Sequence, residues 1–287
     1  MLHELASLIR FFASFLVTFV WRCFRKGWRS ALIHARCEWW RLYIRRRNKR
    51  GRELRVECPC CGWKGYDFYP MDGIRFWEPS VACPNCEYEQ RQRMLHLYVT
   101  RCDPQFFTMR GNVLHIAPEH SVARMIQQNP SLRYFSTDLT LKMLDDKPGM
   151  KFRSDVQDLP FRGNGFDIVF CVHVLEHVPD DVRAVAELHR VLKPGGVAYV
   201  MVPFDPNTDR TFEFPEPNIE LNYHVRGYAL SDFKHRLDRF EYQEIKPTDF
   251  LSAEEVRRFR IPDKEVIYRC VKPQRDRSAL TSDMTMV

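Results

Sequence analysis

The chain has 287 residues, 45% of them hydrophobic and 28% charged, a balance that excludes global disorder and allows one large domain with smaller attachments. Ten cysteines in that length are too sparse for a disulfide scaffold and suit a reducing compartment. The net charge of +7 is unevenly placed: residues 22–52 hold twelve Arg or Lys against the single acid Glu38, so residues 53–287 are mildly acidic.

Residues 5–24, LASLIRFFASFLVTFVWRCF, form an apolar run interrupted by Arg10 and Arg22. Its uninterrupted part, Phe11 to Trp21, is eleven residues, short of the roughly 20 that cross a bilayer, although the full run reaches that length if Arg10 snorkels. No small-residue cleavage site follows, so a secretory signal is disfavoured. Trp28, Trp39, Trp40 and Tyr43 then alternate with basic residues, a composition suited to an anionic lipid interface. The expectation is that residues 1–52 are an apolar and basic helical segment on the cytoplasmic face of an inner membrane. Two alternatives are a helix packed on the protein's own body and a basic arm that binds RNA.

Residues 53–105 carry Cys58-Pro-Cys-Cys61-Gly and Cys83-Pro-Asn-Cys86. Two thiolates from each turn complete the tetrahedron that zinc prefers, so Cys58, Cys61, Cys83 and Cys86 are the expected ligands of a structural Zn2+. Proline pre-sets each turn, and Gly62 permits the left-handed residue that follows the first. Cys60 is a possible substitute ligand. Between the pairs, YDFYP and IRFWE read as short strands of a zinc ribbon. Four protein ligands leave no open position for metal catalysis.

Residues 106–273 alternate strand and helix signals, which predicts a parallel sheet covered on both faces. Asn112–Ile116 is the first strand, followed by a helix over His120–Gln128. Arg133–Thr137 ends at Asp138, and Phe166–Cys171 is a further buried strand. Asp180–Leu192 reads as an amphipathic helix stopped by Lys-Pro-Gly-Gly, with strands at Val197–Val202 and Lys264–Val271. The order is Rossmann-like α/β, with ligand loops at the carboxyl ends of the strands. Residues 274–287 are expected to be a disordered tail.

Asp155-Val-Gln-Asp-Leu-Pro-Phe161, Phe166-Asp-Ile-Val, Leu175-Glu-His-Val178 and Arg190-Val-Leu-Lys-Pro-Gly-Gly196 stand in order and register. With them, residues 111–272 resemble the class I S-adenosylmethionine-dependent methyltransferases of small-molecule type, a seven-stranded Rossmann-like fold. With its CPxC turns, His115-Ile-Ala-Pro-Glu119 and His224-Val-Arg-Gly-Tyr228, the whole chain resembles a bacterial group in which a zinc ribbon precedes that domain. The resemblance implies S-adenosylmethionine as cofactor. It places Asp138 on the ribose hydroxyls and Leu139 beside them, with Asp155 and Val156 next to the adenine and Cys171 in the wall of the pocket. A helix N-cap at Asp138 and a turn acid at Asp155 are the structural alternatives.

One loop departs from the family pattern. Where a strand acid and three glycines are usual, this chain has His115, Ala117, Glu119 and Ser121. Ala and Ser are the next smallest residues, and Glu119 could contact the methionine ammonium or merely sit in the helix's first turn. His173, just past the fourth strand, is the candidate general base, with a structural histidine as its alternative. His177 reads as packing. His224, Arg226 and Tyr228 follow the fifth strand in a Pro-rich stretch that could act as a lid and select the substrate, Arg226 through an anionic group or else as a structural ion pair. The implied activity is methyl transfer to an oxygen or nitrogen of a small molecule or a membrane-associated glycan or lipid intermediate. An RNA methyltransferase and a non-catalytic, membrane-tethered scaffold are the rival readings.

Overall fold

The computed structural model describes residues 2–73, 77–140 and 149–274, with side chains from residue 14 onward. The expected tail beyond residue 274, most of the segment after Leu139 and three of the five residues of the IRFWE strand lie outside the described residues. The chain divides into two compact units.

The first unit takes in residues 1–97, 218–223 and 251–262. Helix α1 (Leu2–Lys26) turns at Gly27, which has φ +84°, into α2 (Trp28–Arg50). Among the described residues, no helix is long and apolar enough to cross a membrane. One face of α2 packs on the ribbon that follows: Ser30, Ala31, Cys37 and Ile44 are buried. Arg41 donates from Nε and Nη2 to the carbonyl of Pro70, and Asn48 accepts from the amide of Tyr66 at 2.7 Å. Of the readings open for the N-terminal segment, packing on the body therefore applies to α2. Helix α1 by contrast leaves Leu16, Val17, Trp21 and Phe24 exposed.

The ribbon comprises two short antiparallel pairs, β1 (Val56–Glu57) with β2 (Lys64–Gly65) and β3 (Tyr69–Asp72) with β4 (Trp77–Ala82). Helix α3 (Gln90–Cys102) follows. Its Arg93 is fully buried and stacked 4.2 Å over the Phe68 ring. It donates to the carbonyls of Val81, Tyr88, Phe259 and Arg260 at 2.7 to 3.2 Å. A planar guanidinium with five donors suits four separate carbonyls, which no lysine can match.

The second unit takes in residues 98–217, 224–250 and 263–287. In chain order its elements are β5 (Gly111–Ile116), α4 (His120–Gln127), β6 (Leu132–Asp138), β7 (Met150–Arg153), β8 (Phe166–Val172), α5 (Asp181–Val191), β9 (Leu192–Met201), β10 (Phe212–Asn218), β11 (His224–Gly227), β12 (Glu241–Ile245) and β13 (Ile267–Val271). A further helix, α6 (Ala253–Phe259), belongs to the first unit. Seven strands form one sheet in the order β12-β13-β9-β8-β5-β6-β7. The five on the β7 side run parallel, and β13 and β12 pair antiparallel. The sheet is Rossmann-like, as expected. Buried apolar residues of β5, β8, β9, β13 and α5 make the core, among them Leu114, Val169, Leu188, Val200 and Tyr268.

Helix α5 starts at Asp180, whose carboxylate accepts from the amide of Arg183 at 2.8 Å, and it ends where β9 begins at Leu192. The edge strands β7 and β12 have no apolar run of their own. Their sequences, MKFR and EYQEI, are mostly exposed and partly charged, as edges often are. The Pro-rich stretch expected as a lid contains its own strand pair, β10 with β11.

Arg93→Met should cost about 3–5 kcal/mol, because several carbonyls would lose a charged donor at a fully buried position. Urea denaturation checks this as a lowered midpoint with an unchanged slope.

Candidate functional site

The four cysteines of the CPxC turns converge. Their sulfurs all lie within 4.8 Å of one another, with Cys58 to Cys86 at 3.6 Å and Cys61 to Cys83 at 3.7 Å. Zinc–sulfur bonds of roughly 2.3 Å in a tetrahedron put its edges at about 3.8 Å, so the set fits such an ion. Cys60 lies outside this group. The two turns are built alike. Cys58 N–H donates to the Trp63 carbonyl and Gly62 N–H to that of Cys58, as Cys83 does to Tyr88 and Glu87 to Cys83. Gly62 and Glu87, at matching places, have φ of +71° and +63°.

The sheet supplies a second site. Strand β5 leads through α4 to β6 on one side and its neighbour β8 through α5 to β9 on the other, so the two connections diverge at the strands' carboxyl ends, where open α/β sheets bind ligands. Two residues with positive φ stand at that point. Ala117, directly after β5, has φ +45°, and His173, directly after β8, has φ +52°. Each is tied to a neighbouring strand, Ala117 N–H to the Thr137 carbonyl at 2.8 Å and His173 N–H to the Met201 carbonyl at 2.9 Å. Left-handed backbone costs a non-glycine residue about 1–2 kcal/mol. The loop thus keeps a conformation suited to glycine without having one.

His115 lies buried in β5. Its Nε2 accepts the Glu119 amide at 3.4 Å, so Nδ1 holds the proton and donates to Tyr134 Oη at 3.0 Å. The imidazole therefore fixes the loop's shape. Glu119 is the N-cap of α4 without a side-chain cap bond. Ser121 Oγ and Ser136 Oγ are buried with no hydrogen-bond partner among the described residues. Sequence reading passed over Ser136; the clue was its place two residues before Asp138, on the same face of β6.

Asp138 ends β6 half-buried, and its Oδ1 accepts from the amide of Thr140 at 2.9 Å, a turn that leaves Oδ2 for another donor. The adjacent Leu139 is 63% exposed, an apolar surface beside that acid. Asp155 is held by Gln157, through its amide at 2.9 Å and through Nε2 to both carboxylate oxygens. Val156 is buried in the core. Cys171 is also a core residue, with a thiol pushed up by burial and then by the nearby Glu176 charge.

The expected substrate residues separate. Arg226 is 2% exposed, and its guanidinium donates to the carbonyls of Leu175, Val178 and Pro179 and to Glu213. Tyr228 is fully buried and donates to Asp181 at 2.7 Å. Arg226 holds β11 against the turn after β8 and Tyr228 holds the end of β11 against α5, because a buried donor must find an acceptor. Both side chains thus have structural partners, the alternative left open for Arg226. His224 remains half-buried, its ring 4.8 Å from and perpendicular to that of His177. Burial, and then the neighbouring His177, lower its pKa to about 4. His173 Nδ1 lies 3.5 Å from Oε1 of the buried Glu176.

Comparison with known proteins finds a family match within the second unit. Residues 119–200 match the methyltransferase domain family. Over 138 residues the chain is 25% identical to a tRNA U34 carboxymethyltransferase of Campylobacter lari, covering 46% of this chain and 47% of that one. Over 54 residues it is 44% identical to a demethylmenaquinone methyltransferase of Staphylococcus carnosus, covering 19% and 22%. The chain thus spans about half the length of the first relative and about a fifth of the second. Among solved structures, the YcgJ protein of Bacillus subtilis aligns with a TM-score of 0.44 and 18% identity over 63% of this chain and 98% of that one. A Burkholderia thailandensis 1,6-didemethyltoxoflavin-N1-methyltransferase, solved with S-adenosylhomocysteine, aligns at 0.42 and 15% over 64% and 77%.

Ala117→Gly should stabilise the fold by about 1 kcal/mol by relieving its left-handed backbone, whereas Ala117→Val should destabilise it. The two unfolding midpoints should move in opposite directions from that of the parent.

Proposed function

We propose, from the class I S-adenosylmethionine-dependent methyltransferase domain that this chain carries, that it is an active enzyme transferring a methyl group to an oxygen or nitrogen. The acceptor is a small molecule or a membrane-associated glycan or lipid intermediate. The observation that carries this reading is the switch point at the carboxyl ends of β5 and β8, beside the matched stretch of residues 119–200 that holds β6 and β8.

S-adenosylmethionine, when bound, supplies an electrophilic sulfonium methyl. Asp138, through Oδ2, would take the ribose hydroxyls, with Leu139 packed on the adenine and Asp155 and Val156 at its edge. Ser121 Oγ and Ser136 Oγ are buried polar atoms that bound ligand could satisfy. The main chain at Ala117 and Glu119 would lie along the methionine end. His173 is the candidate base, which would accept the proton that the acceptor's oxygen or nitrogen loses on methylation. Most of the rate would come from holding the two reactants in line. The four-cysteine cluster would hold a structural zinc, with all four positions filled by protein.

For localisation we propose that α1 lies in the surface of an anionic membrane on the cytoplasmic side. Leu16, Val17, Trp21 and Phe24 are between 51% and 87% exposed, and the exposed Arg25, Lys26 and Arg29 would meet lipid headgroups. The same basic segment favours one second reading, a tRNA acceptor, in line with the name of the Campylobacter relative.

Two measurements test these readings. Calorimetry with S-adenosylhomocysteine should show binding that Asp138→Asn weakens at least tenfold, since a hydrogen bond to a charged group contributes about 1.5–3 kcal/mol. Unchanged affinity in the variant would remove Asp138 from the site, and no binding by the parent would defeat the enzyme reading. The full chain should sediment with phosphatidylglycerol vesicles and lose this on Trp21→Ser with Phe24→Ser. Salt-sensitive retention of tRNA with indifference to vesicles would favour the nucleic-acid reading instead.

A further inference from the structure

The turn after β8 brings together a second set of metal-ligating groups. A carboxylate oxygen of Glu176 and one ring nitrogen each of His177 and His224 all lie within 4.8 Å of one another. Glu176 is 1% exposed, His177 is open to solvent, and His224 stands between these extremes. Oε1 of Glu176 is 3.9 Å from Nε2 of His177 and 3.5 Å from Nδ1 of His173. One deeply buried carboxylate therefore sits among imidazoles, in the company that a cation would complete.

We propose that Glu176, His177 and His224 form a binding site for a divalent first-row transition-metal ion, separate from the four-cysteine cluster. Two imidazole nitrogens and one carboxylate oxygen are a donor set suited to zinc, iron(II) or cobalt(II), and three ligands leave positions open. Metal–ligand bonds of roughly 2.1 Å place neighbouring donors about 3.4 Å apart in a tetrahedron. The present separations, up to 4.8 Å, with Glu176 to His177 at 3.9 Å, are somewhat wider than that.

The arrangement is built, not a chance meeting of surface side chains. Glu176 and His177 belong to the 3-10 turn Leu175–His177, whereas His224 begins β11, 47 residues further on. Arg226, also on β11, donates to the carbonyls of Leu175 and Val178 at 2.8 and 2.5 Å and to that of Pro179 at 2.8 Å. This buried clamp grips the backbone on both sides of Glu176 and His177 and sets their turn against the start of β11. Tyr228 strengthens the join through its hydrogen bond to Asp181. Two residues expected to bind substrate thus act as positioning residues for three ligands.

The site lies three residues past His173, at the carboxyl end of β8. Resting on the methyltransferase reading, the open positions would hold an oxygen or nitrogen of the acceptor, so acceptors with a metal-binding hydroxyl, carboxylate or amine are the fitting class.

Cobalt titration of the full chain, stripped of metal and reduced, separates the two sites. The parent should bind two equivalents of Co2+, one giving intense thiolate-to-cobalt absorption and one giving only weak ligand-field bands. His224→Ala and His177→Gln should each bind one equivalent and keep the thiolate absorption, which also reports that the first unit is folded. Should one variant fail to fold, by circular dichroism, the other decides. Two equivalents in a folded variant, or a single thiolate-type equivalent in the parent, overturns the proposal. Absence of the thiolate band, with loss of one weak-band equivalent in the variants, would instead defeat the ribbon reading and leave this site standing.

Discussion

Parallel pairing of β5 on both edges is the constraint on which the candidate site depends. Every backbone group of that strand must find a partner, and β6 and β8 supply them residue by residue, with His115 level with Ser136 and Phe170. With β6 following β5 on one side and β9 following β8 on the other, the two connections part at the carboxyl ends of these strands. Ala117 and His173 are forced into left-handed backbone at that opening by hydrogen bonds to Thr137 and Met201. Strain of this kind persists only where the surroundings over-determine it, and both instances fall where a ligand would lie.

The absent glycines take on a physical meaning in this frame. Ala117 adopts the conformation that a glycine would have chosen freely, and the His115 imidazole bridges Tyr134 and the amide of Glu119 to hold it there. The loop is thus shaped by a buried side chain where the usual pattern relies on backbone freedom. A similar substitution occurs in the ribbon, where Glu87 repeats the left-handed turn of Gly62 without being glycine. In both places the hydrogen-bond pattern outranks local preference.

Buried arginines organise each unit separately. Arg93 joins α3, β4 and the end of α6 by donating to four main-chain carbonyls. Arg226 does the same for the turn after β8 and for Glu213. A guanidinium is suited to both positions because its donors spread in a plane and its charge is never lost. Removing either leaves several buried acceptors at once, a cost larger than any single surface ion pair in this chain contributes.

Much of the central sheet was legible in the amino-acid sequence, because buried parallel strands are continuous apolar runs and helices carry caps such as Asp180. The cysteine spacing was equally direct, since two CPxC turns can bring four sulfurs together with little help from the rest of the chain. The edge strands β7 and β12 were not legible, because half-exposed charged segments have no apolar signature. Nor could sequence decide the roles of Arg226 and Tyr228, which looked like substrate residues until packing committed them to carbonyls and Asp181. The meeting of His224 with Glu176 and His177 was decided by tertiary structure alone. Residues 47 apart become neighbours only when a buried clamp, and not a local pattern, draws their backbones together.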